Sequence, residues 1–160
     1  MLVNSKNDLN VQVYGDNSLV GPQNSNPSYA IYSEGSVSIS GDGTENLYLK
    51  AKYPLRAIGD IKINNAFIDV YSEYYYGISS DEGRIALNNS SARIRGAYGI
   101  VTLTEGKDVE LYNSHVDINV EHQGIYSGGG IYLNDTYLKA VATDTATDVQ
   151  IENFAIYSGT

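Results

Sequence analysis

A short pattern of apolar and polar positions recurs along the chain: apolar, any, apolar, any, then a small residue or Asn. It reads Val37-Ser38-Ile39-Ser40-Gly41, Ile61-Lys62-Ile63-Asn64-Asn65, Ile85-Ala86-Leu87-Asn88-Asn89 and Val109-Glu110-Leu111-Tyr112-Asn113. It continues as Ile131-Tyr132-Leu133-Asn134-Asp135 and Val149-Gln150-Ile151-Glu152-Asn153. The copies begin at 37, 61, 85, 109, 131 and 149, so their spacing is 24, 24, 24, 22 and 18 residues. A looser copy, Val11-Gln12-Val13-Tyr14-Gly15, stands 26 residues before Val37.

Each unit carries two further apolar stretches. One follows the Asn: Ile68/Val70, Ala92/Ile94, Val116/Ile118, Leu138/Ala140 and Ile156/Ser158, with Leu47/Leu49/Ala51 displaced by three extra residues in the Gly41 unit. The other precedes the pattern and is anchored on Ile31, Leu55, Ile78, Ile100 and Ile125, four of which read Ala-Ile or Gly-Ile. Alternation with period 2 predicts strands, and no stretch sustains the 3.6-residue period of a helix. Gly, Asn, Asp and Ser fill the joints, as turns require. A leucine-rich repeat would need its Leu-x-x-Leu-x-Leu frame and a helical arm, and a β-sandwich would not hold one residue class at one place in every unit. Three strands per unit therefore predict an all-β chain wound as a right-handed parallel β-helix (solenoid), with three short strands per coil and about six to seven coils. Residues 1–28 are expected to form an N-terminal coil or capping segment. Residues 29–160 are expected to form one continuous run of repeats, part of a longer protein.

Stacking turns sequence columns into physical ladders, with rungs about 4.8 Å apart. The column Gly41, Asn65, Asn89, Asn113, Asp135 and Asn153 is expected to bend the chain, accept a left-handed backbone and link Asn to Asn through side-chain amides. An outward column, Tyr48, Asp69, Arg93, Asp117, Lys139 and Tyr157, alternates charge from rung to rung. It reads either as solvated register marks or as a polar groove for sugar hydroxyls or uronate. A third column, Tyr29, Tyr53, Tyr76 and Tyr98 followed by Gln123, is expected to stack ring on ring at one corner, with Tyr74, Tyr75, Tyr32 and Tyr126 nearby. It reads either as a stiffening ladder or as a platform for pyranose rings.

Composition narrows the chemistry. The 160 residues carry a net charge of −9, which disfavours nucleic acid, and no apolar run is long enough to insert into a membrane. No basic n-region and apolar h-region follow Met1. Cysteine is absent, which excludes disulfides, thiolate catalysis and zinc–cysteine sites. Tyrosine dominates the aromatics, with 15 Tyr against 2 Phe and no Trp. No hydrolase elbow, phosphate-binding loop, dinucleotide fingerprint or His-Glu-x-x-His motif occurs. His115 and His122 lack a Ser or Cys partner at a suggestive spacing. The carboxylate pairs Asp81/Glu82, Asp42/Glu45 and Asp144/Asp148 lie in turns rich in small polar residues, where Asp serves the local backbone. The chain is thus expected not to be an enzyme. No cofactor is expected, and calcium held by turn carboxylates and carbonyls is the one metal left open.

The segment Tyr29-Ala-Ile-Tyr-Ser-Glu-Gly-Ser-Val-Ser-Ile-Ser-Gly-Asp-Gly-Thr44 resembles the repeating Gly-Ile … Leu-x-Ile-x-Gly-x-Gly units of right-handed β-helix carbohydrate-binding domains. These belong to secreted clostridial and gut bacterial proteins and are similar in fold to pectate lyases. The resemblance spans roughly residues 9–158. It implies binding of plant cell-wall polysaccharide at an extracellular or bacterial cell-surface location, sometimes with calcium. Such domains often place Asp before the Gly-Ile anchor, where this chain has Tyr76, Tyr98 and Gln123, a departure that argues against an acidic metal site there. On this reading the chain is a non-catalytic polysaccharide-binding module using Tyr53, Tyr75, Tyr76, Tyr98 and Tyr126 together with Asp69, Arg93 and Asp117. The alternatives are a structural or adhesive surface repeat that associates end to end or joins other domains, and a lyase-like enzyme, for which no carboxylate cluster is seen.

Overall fold

The computed structural model of the protein describes residues 2–22, 24–143 and 156–158. Its regular elements are all strands, and the paired strands run parallel. Three strands complete one turn. The first side stacks Leu9–Gln12, Val37–Ser40, Ile61–Asn64, Ile85–Asn88, Val109–Tyr112 and Ile131–Asn134 into a six-stranded sheet. The second side stacks Asn17–Val20, Asn46–Ala51, the leading parts of the long strands Phe67–Ser80 and Ser91–Thr102, then His115–Val120 and Tyr137–Ala142. The third side stacks Val3–Ser5, Tyr29–Ser33, Tyr53–Ala57, the trailing parts of the same two long strands, Ile125–Ser127 and Ile156–Ser158. The whole is a parallel β-solenoid of about six turns.

The register follows the repeat. On the first side Val37 pairs with Ile61, Ile61 with Ile85, Ile85 with Val109 and Val109 with Ile131. Alternate residues on each side point inward, and the aliphatic columns close into one core. Ile39, Ile63, Leu87 and Leu111 of the first side are fully buried, as are Leu49, Val70, Ile94 and Ile118 of the second and Ile31, Leu55, Ile78, Ile100 and Ile125 of the third. Each such side chain contributes about 1.5–3 kcal/mol by leaving water, set against the conformational entropy of ordering the coil.

Two expectations fail at the ends. The looser copy does not place Val11 opposite Val37; Leu9 pairs with Val37 and Val11 with Ile39. Leu9, Val11 and Val13 alternate as a set of three, so a slip of two residues keeps the same face inward and the pattern alone does not fix the pairing. Ile156 does not extend the second side either. Ile156, Tyr157 and Ser158 pair with Ile125, Tyr126 and Ser127 on the third side, which removes Tyr157 from the column of alternating charge. Ala155-Ile156 repeats the Ala-Ile anchor of that third column. The copy at Val149–Asn153 and the pair Asp144/Asp148 lie outside the described residues.

Two corners are built by strict columns. Between the first and second sides, Asn65, Asn89, Asn113 and Asp135 all adopt a left-handed backbone, with φ of 49°, 49°, 47° and 48°. Asn tolerates this conformation at little cost, whereas a branched residue would not. The amide of Asn113 donates to Asn89 Oδ1 at 2.7 Å, and one residue earlier Asn88 donates to Asn64 Oδ1 at 3.0 Å. The next position carries Ser90, Ser114 and Thr136. The hydroxyl of Ser90 donates to the Asn88 carbonyl at 2.7 Å while accepting from the Ala66 backbone N–H at 3.3 Å, and Ser114 and Thr136 repeat the arrangement. Between the third and first sides, Asp8, Asp60 and Asp108 each accept the backbone N–H of the residue one rung on, Ser36, Arg84 and Gly130, at 2.7–3.0 Å. Glycine is required beside them: a Cβ on Gly83 would lie 2.3 Å from the backbone nitrogen of Asp60.

Candidate functional site

The third corner, between the second and third sides, is irregular. After the second-side strand the chain reaches the tyrosine column through different lengths. One residue separates Ala51 from Tyr53 and Gly96 from Tyr98, three separate Ser72 from Tyr76, and two separate Val120 from Gln123. The long corner at residues 73–75 is held by the Ser72 hydroxyl, which donates to the Tyr75 carbonyl. The tight one at Gly96 has φ of 119°. A Cβ there would lie 1.8 Å from the Ser72 carbonyl oxygen, so only glycine fits.

These unequal lengths decide how the rings meet. Tyr29 and Tyr53 share a register position, as do Tyr76 and Tyr98. The expected continuous face-to-face stack does not form. Tyr53 lies parallel to Tyr75 instead, at 4.4 Å between centroids and 3° between planes. Tyr76 meets Tyr53 and Tyr98 edge-on, at 6.3 Å and 5.3 Å. Tyr29 tilts against Tyr53 at 5.5 Å and stacks on Tyr32 at 4.8 Å. Where Gln123 ends the column, His122 continues the aromatic contact, 4.7 Å from Tyr98. The extra residues at 73–75 lift Tyr75 into the place a strict ladder would give to Tyr76. Edge-to-face and offset geometries both suit the ring quadrupole, so the corner loses little by being uneven.

The organiser of this cluster is a residue the sequence did not single out. Arg56 projects from the third side; its Nε and Nη2 donate to the two carboxylate oxygens of Asp81 at 3.1 Å and 2.8 Å. Its guanidinium lies 5.3 Å from the Tyr53 ring centre, and Nη1 reaches the Tyr29 hydroxyl at 3.5 Å. Such a fork is directional and charge-assisted, and it fixes the rings around it. The hydrogen bond to Asp81 raises the Arg56 pKa further, with burial opposing. Burial raises the phenol pKa of Tyr76, Tyr53 and Tyr32, with Tyr75 adding to the effect at Tyr53 and Glu34 at Tyr32. The spacing of 25 residues from Arg56 to Asp81, close to one unit, was the available signal.

The structure therefore divides the sequence-predicted residues into two groups. Tyr53, Tyr75, Tyr76 and Tyr98 come together at the corner, and Tyr126 lies close enough to Tyr76 to act on it electrostatically. Tyr53, Tyr76, Tyr98 and Tyr126 are half-buried; the most exposed rings of this corner are Tyr74 at 64% and Tyr75 at 37%. Lys52 lies 5.8 Å from the Tyr74 ring centre. Asp69, Arg93 and Asp117 stand elsewhere, mid-way across the outer face of the second side, in one register column with Tyr48 and Lys139. There Asp69 is held by a neighbour outside the column as well: Arg95 Nη2 donates to it at 2.7 Å, against 3.8 Å for Arg93. Beside that column runs another, Phe67, Ser91, His115 and Tyr137, in which His115 and Tyr137 stack at 4.5 Å and 19°.

Two of the turn carboxylates are occupied by local bonding. Asp81 belongs to Arg56, and Asp42 accepts from the Thr44 backbone and hydroxyl at 2.9 Å and 2.6 Å. Among the described residues, no group of three or more His, Cys, Asp or Glu side chains gathers in a way that could hold a metal ion. No family model, no curated protein and no solved structure matches this chain.

Proposed function

We propose that the chain is a non-catalytic module that binds extracellular polysaccharide, with plant cell-wall glycan as the ligand class, at the bacterial cell surface or outside the cell. The observation that carries this reading is the parallel pair Tyr53 and Tyr75 at an outward corner, with Tyr75 and Tyr74 open to solvent. Arg56 and Asp81 hold the surroundings of Tyr53 in place before any ligand arrives. A rigid, partly exposed aromatic surface binds the C–H face of a pyranose ring at low ordering cost. Affinity electrophoresis through gels containing soluble cell-wall glycans tests the reading. The parent chain is retarded and Tyr75→Ala runs faster. Equal mobility with and without every glycan rejects it.

A second reading, a structural repeat that associates end to end, is favoured by the first turn. Val3–Ser5, Leu9–Gln12 and Asn17–Val20 each pair on one side only among the described residues. Such edges are templates for further strand pairing. Concentration-dependent sedimentation without any glycan response would select this reading.

A further inference from the structure

We infer that the outer face of the second side holds a slot for a single neutral sugar ring, at Ser91 between Phe67 and His115. This rests on the glycan-binding reading above and gives it a second place, away from the tyrosine corner.

The argument starts from the column itself. Phe67, Ser91, His115 and Tyr137 occupy one register position on four successive rungs. Three of the four carry rings and Ser91 does not. Where rings fall on adjacent rungs they stack: His115 on Tyr137, at 4.5 Å and 19°. Phe67 and His115 are two rungs apart, about 9.6 Å at the usual strand spacing. A ring seated between two others needs about 3.5–4.0 Å on each side, or about 7–8 Å in all. The gap over Ser91 thus fits one ring, which would complete the run from Phe67 to Tyr137.

The gap is open. Gly43, Thr44, Phe67, Ser91, Arg93 and His115 line a depression of about 330 Å³. Gly43 and Thr44 belong to the three extra residues of the Gly41 unit, whose turn is exposed beside Phe67. Gly43 takes φ of 93°, a conformation that lets this turn project. The insertion thus supplies one wall of the slot.

The chemistry of the lining selects the ligand. The faces are rings and the rim is polar, with the hydroxyls of Ser91 and Thr44 and the Arg93 guanidinium. A pyranose presents C–H groups on its faces and hydroxyls round its edge, which matches. Arg93 leans over Phe67, 5.9 Å from the ring centre, and faces Asp69 at 3.8 Å. Asp69 is shared with Arg95, at 2.7 Å, so it opposes the Arg93 charge only in part, but Asp117 stands on the next rung and the chain as a whole carries −9. The overall negative field of the chain thus favours a neutral sugar over an acidic one.

The test is titration of the protein with neutral β-1,4-linked glucan and xylan oligosaccharides, followed by saturation-transfer NMR and the ring resonances of His115. The expected result is saturation of sugar C–H protons and a shift at His115. Ser91→Tyr, which fills the gap with the protein's own ring, should weaken binding about tenfold, equivalent to about 1.4 kcal/mol, while keeping the melting temperature. Lys62→Ala, an exposed position on the first side, should bind as the parent does, and His115→Ala, at an exposed position, should lose affinity as Ser91→Tyr does. Undiminished binding by both Ser91→Tyr and His115→Ala overturns the slot. If those two bind normally while Tyr75→Ala does not, the slot fails and the corner reading stands; if the parent binds none of the oligosaccharides or soluble glycans, both fall.

Discussion

The asparagine corner and the tyrosine corner turn the same chain on successive rungs, yet they are built in opposite ways. At the first, four residues share one backbone conformation to within 2°, from 47° to 49°, and amide and hydroxyl groups repeat their bonds from turn to turn. At the second, the connecting lengths vary and the ring contacts mix tilted, parallel and edge-on geometries. A corner that repeats sets register, because a slip would break every rung at once. A corner that varies is free to place side chains individually, and the cost is carried by special residues such as Gly96 and by the Arg56–Asp81 fork. The lesson is that regularity marks the part of this molecule that specifies the fold, and irregularity marks where to look for recognition.

The largest expected effect breaks the irregular corner at its tightest point. Gly96→Ala brings a methyl group against the Ser72 carbonyl in a backbone region reserved for glycine, and should destabilise by more than about 3 kcal/mol in denaturant titration. A midpoint unchanged from the parent would show that the bend is soft. Next comes the regular corner. Asn89→Leu forces a left-handed backbone on a bulky residue and removes the Asn113 acceptor, a loss of about 2–3 kcal/mol, with no change in glycan affinity. Asn89→Gly keeps the conformation and loses only the amide, so it should cost about 1 kcal/mol. Equal stability of all three chains would remove the amide ladder from the account of register.

Smaller effects sharpen the contrast. Arg56→Lys keeps the charge but not the fork to Asp81, and should cost about 1 kcal/mol while changing the near-ultraviolet circular dichroism. That signal reports tyrosine, since the chain has no Trp. The smallest effect is in alkaline titration. Tyr32, Tyr53 and Tyr76 have pKa values above the ordinary 10.0, so the folded chain keeps these protons to higher pH than the unfolded chain. Stability is then full below about pH 10 and falls as pH rises through the folded values. Absorbance titration should show a late-ionising fraction, reduced in Tyr76→Phe; simultaneous ionisation of every tyrosine would contradict the burial of this corner.

How much was legible follows the same division. The inward Ile, Leu and Val columns and the Asn column announced themselves because stacking repeats a physical demand every turn, and a demand repeated at a constant spacing is visible in one dimension. The slip at Val11 arose because alternation specifies a face but not which pair along it. Ile156 stands as far from Asn153 in sequence as Ile68 does from Asn65, so spacing alone points to the second side, whereas its Ala-Ile anchor matches the third. The column Asp8, Asp60 and Asp108 escaped notice because it falls on alternate rungs. Ring geometry at the tyrosine corner was beyond reach, since an extra residue or two at 73–75 redirects Tyr75 and Tyr76 without altering any column of the core. The Arg56–Asp81 fork joins positions two residues out of register, so no column contains both.

Because each turn rests only on its neighbours, the molecule is also a ruler. Removing residues 65–88 would join Asn64 to Asn89, one whole unit on, and every remaining column would still meet its own kind. The body would shorten by about 4.8 Å and keep its cross-section. Reach is therefore set by how many units a gene encodes, independently of what the side chains on its corners and faces have become.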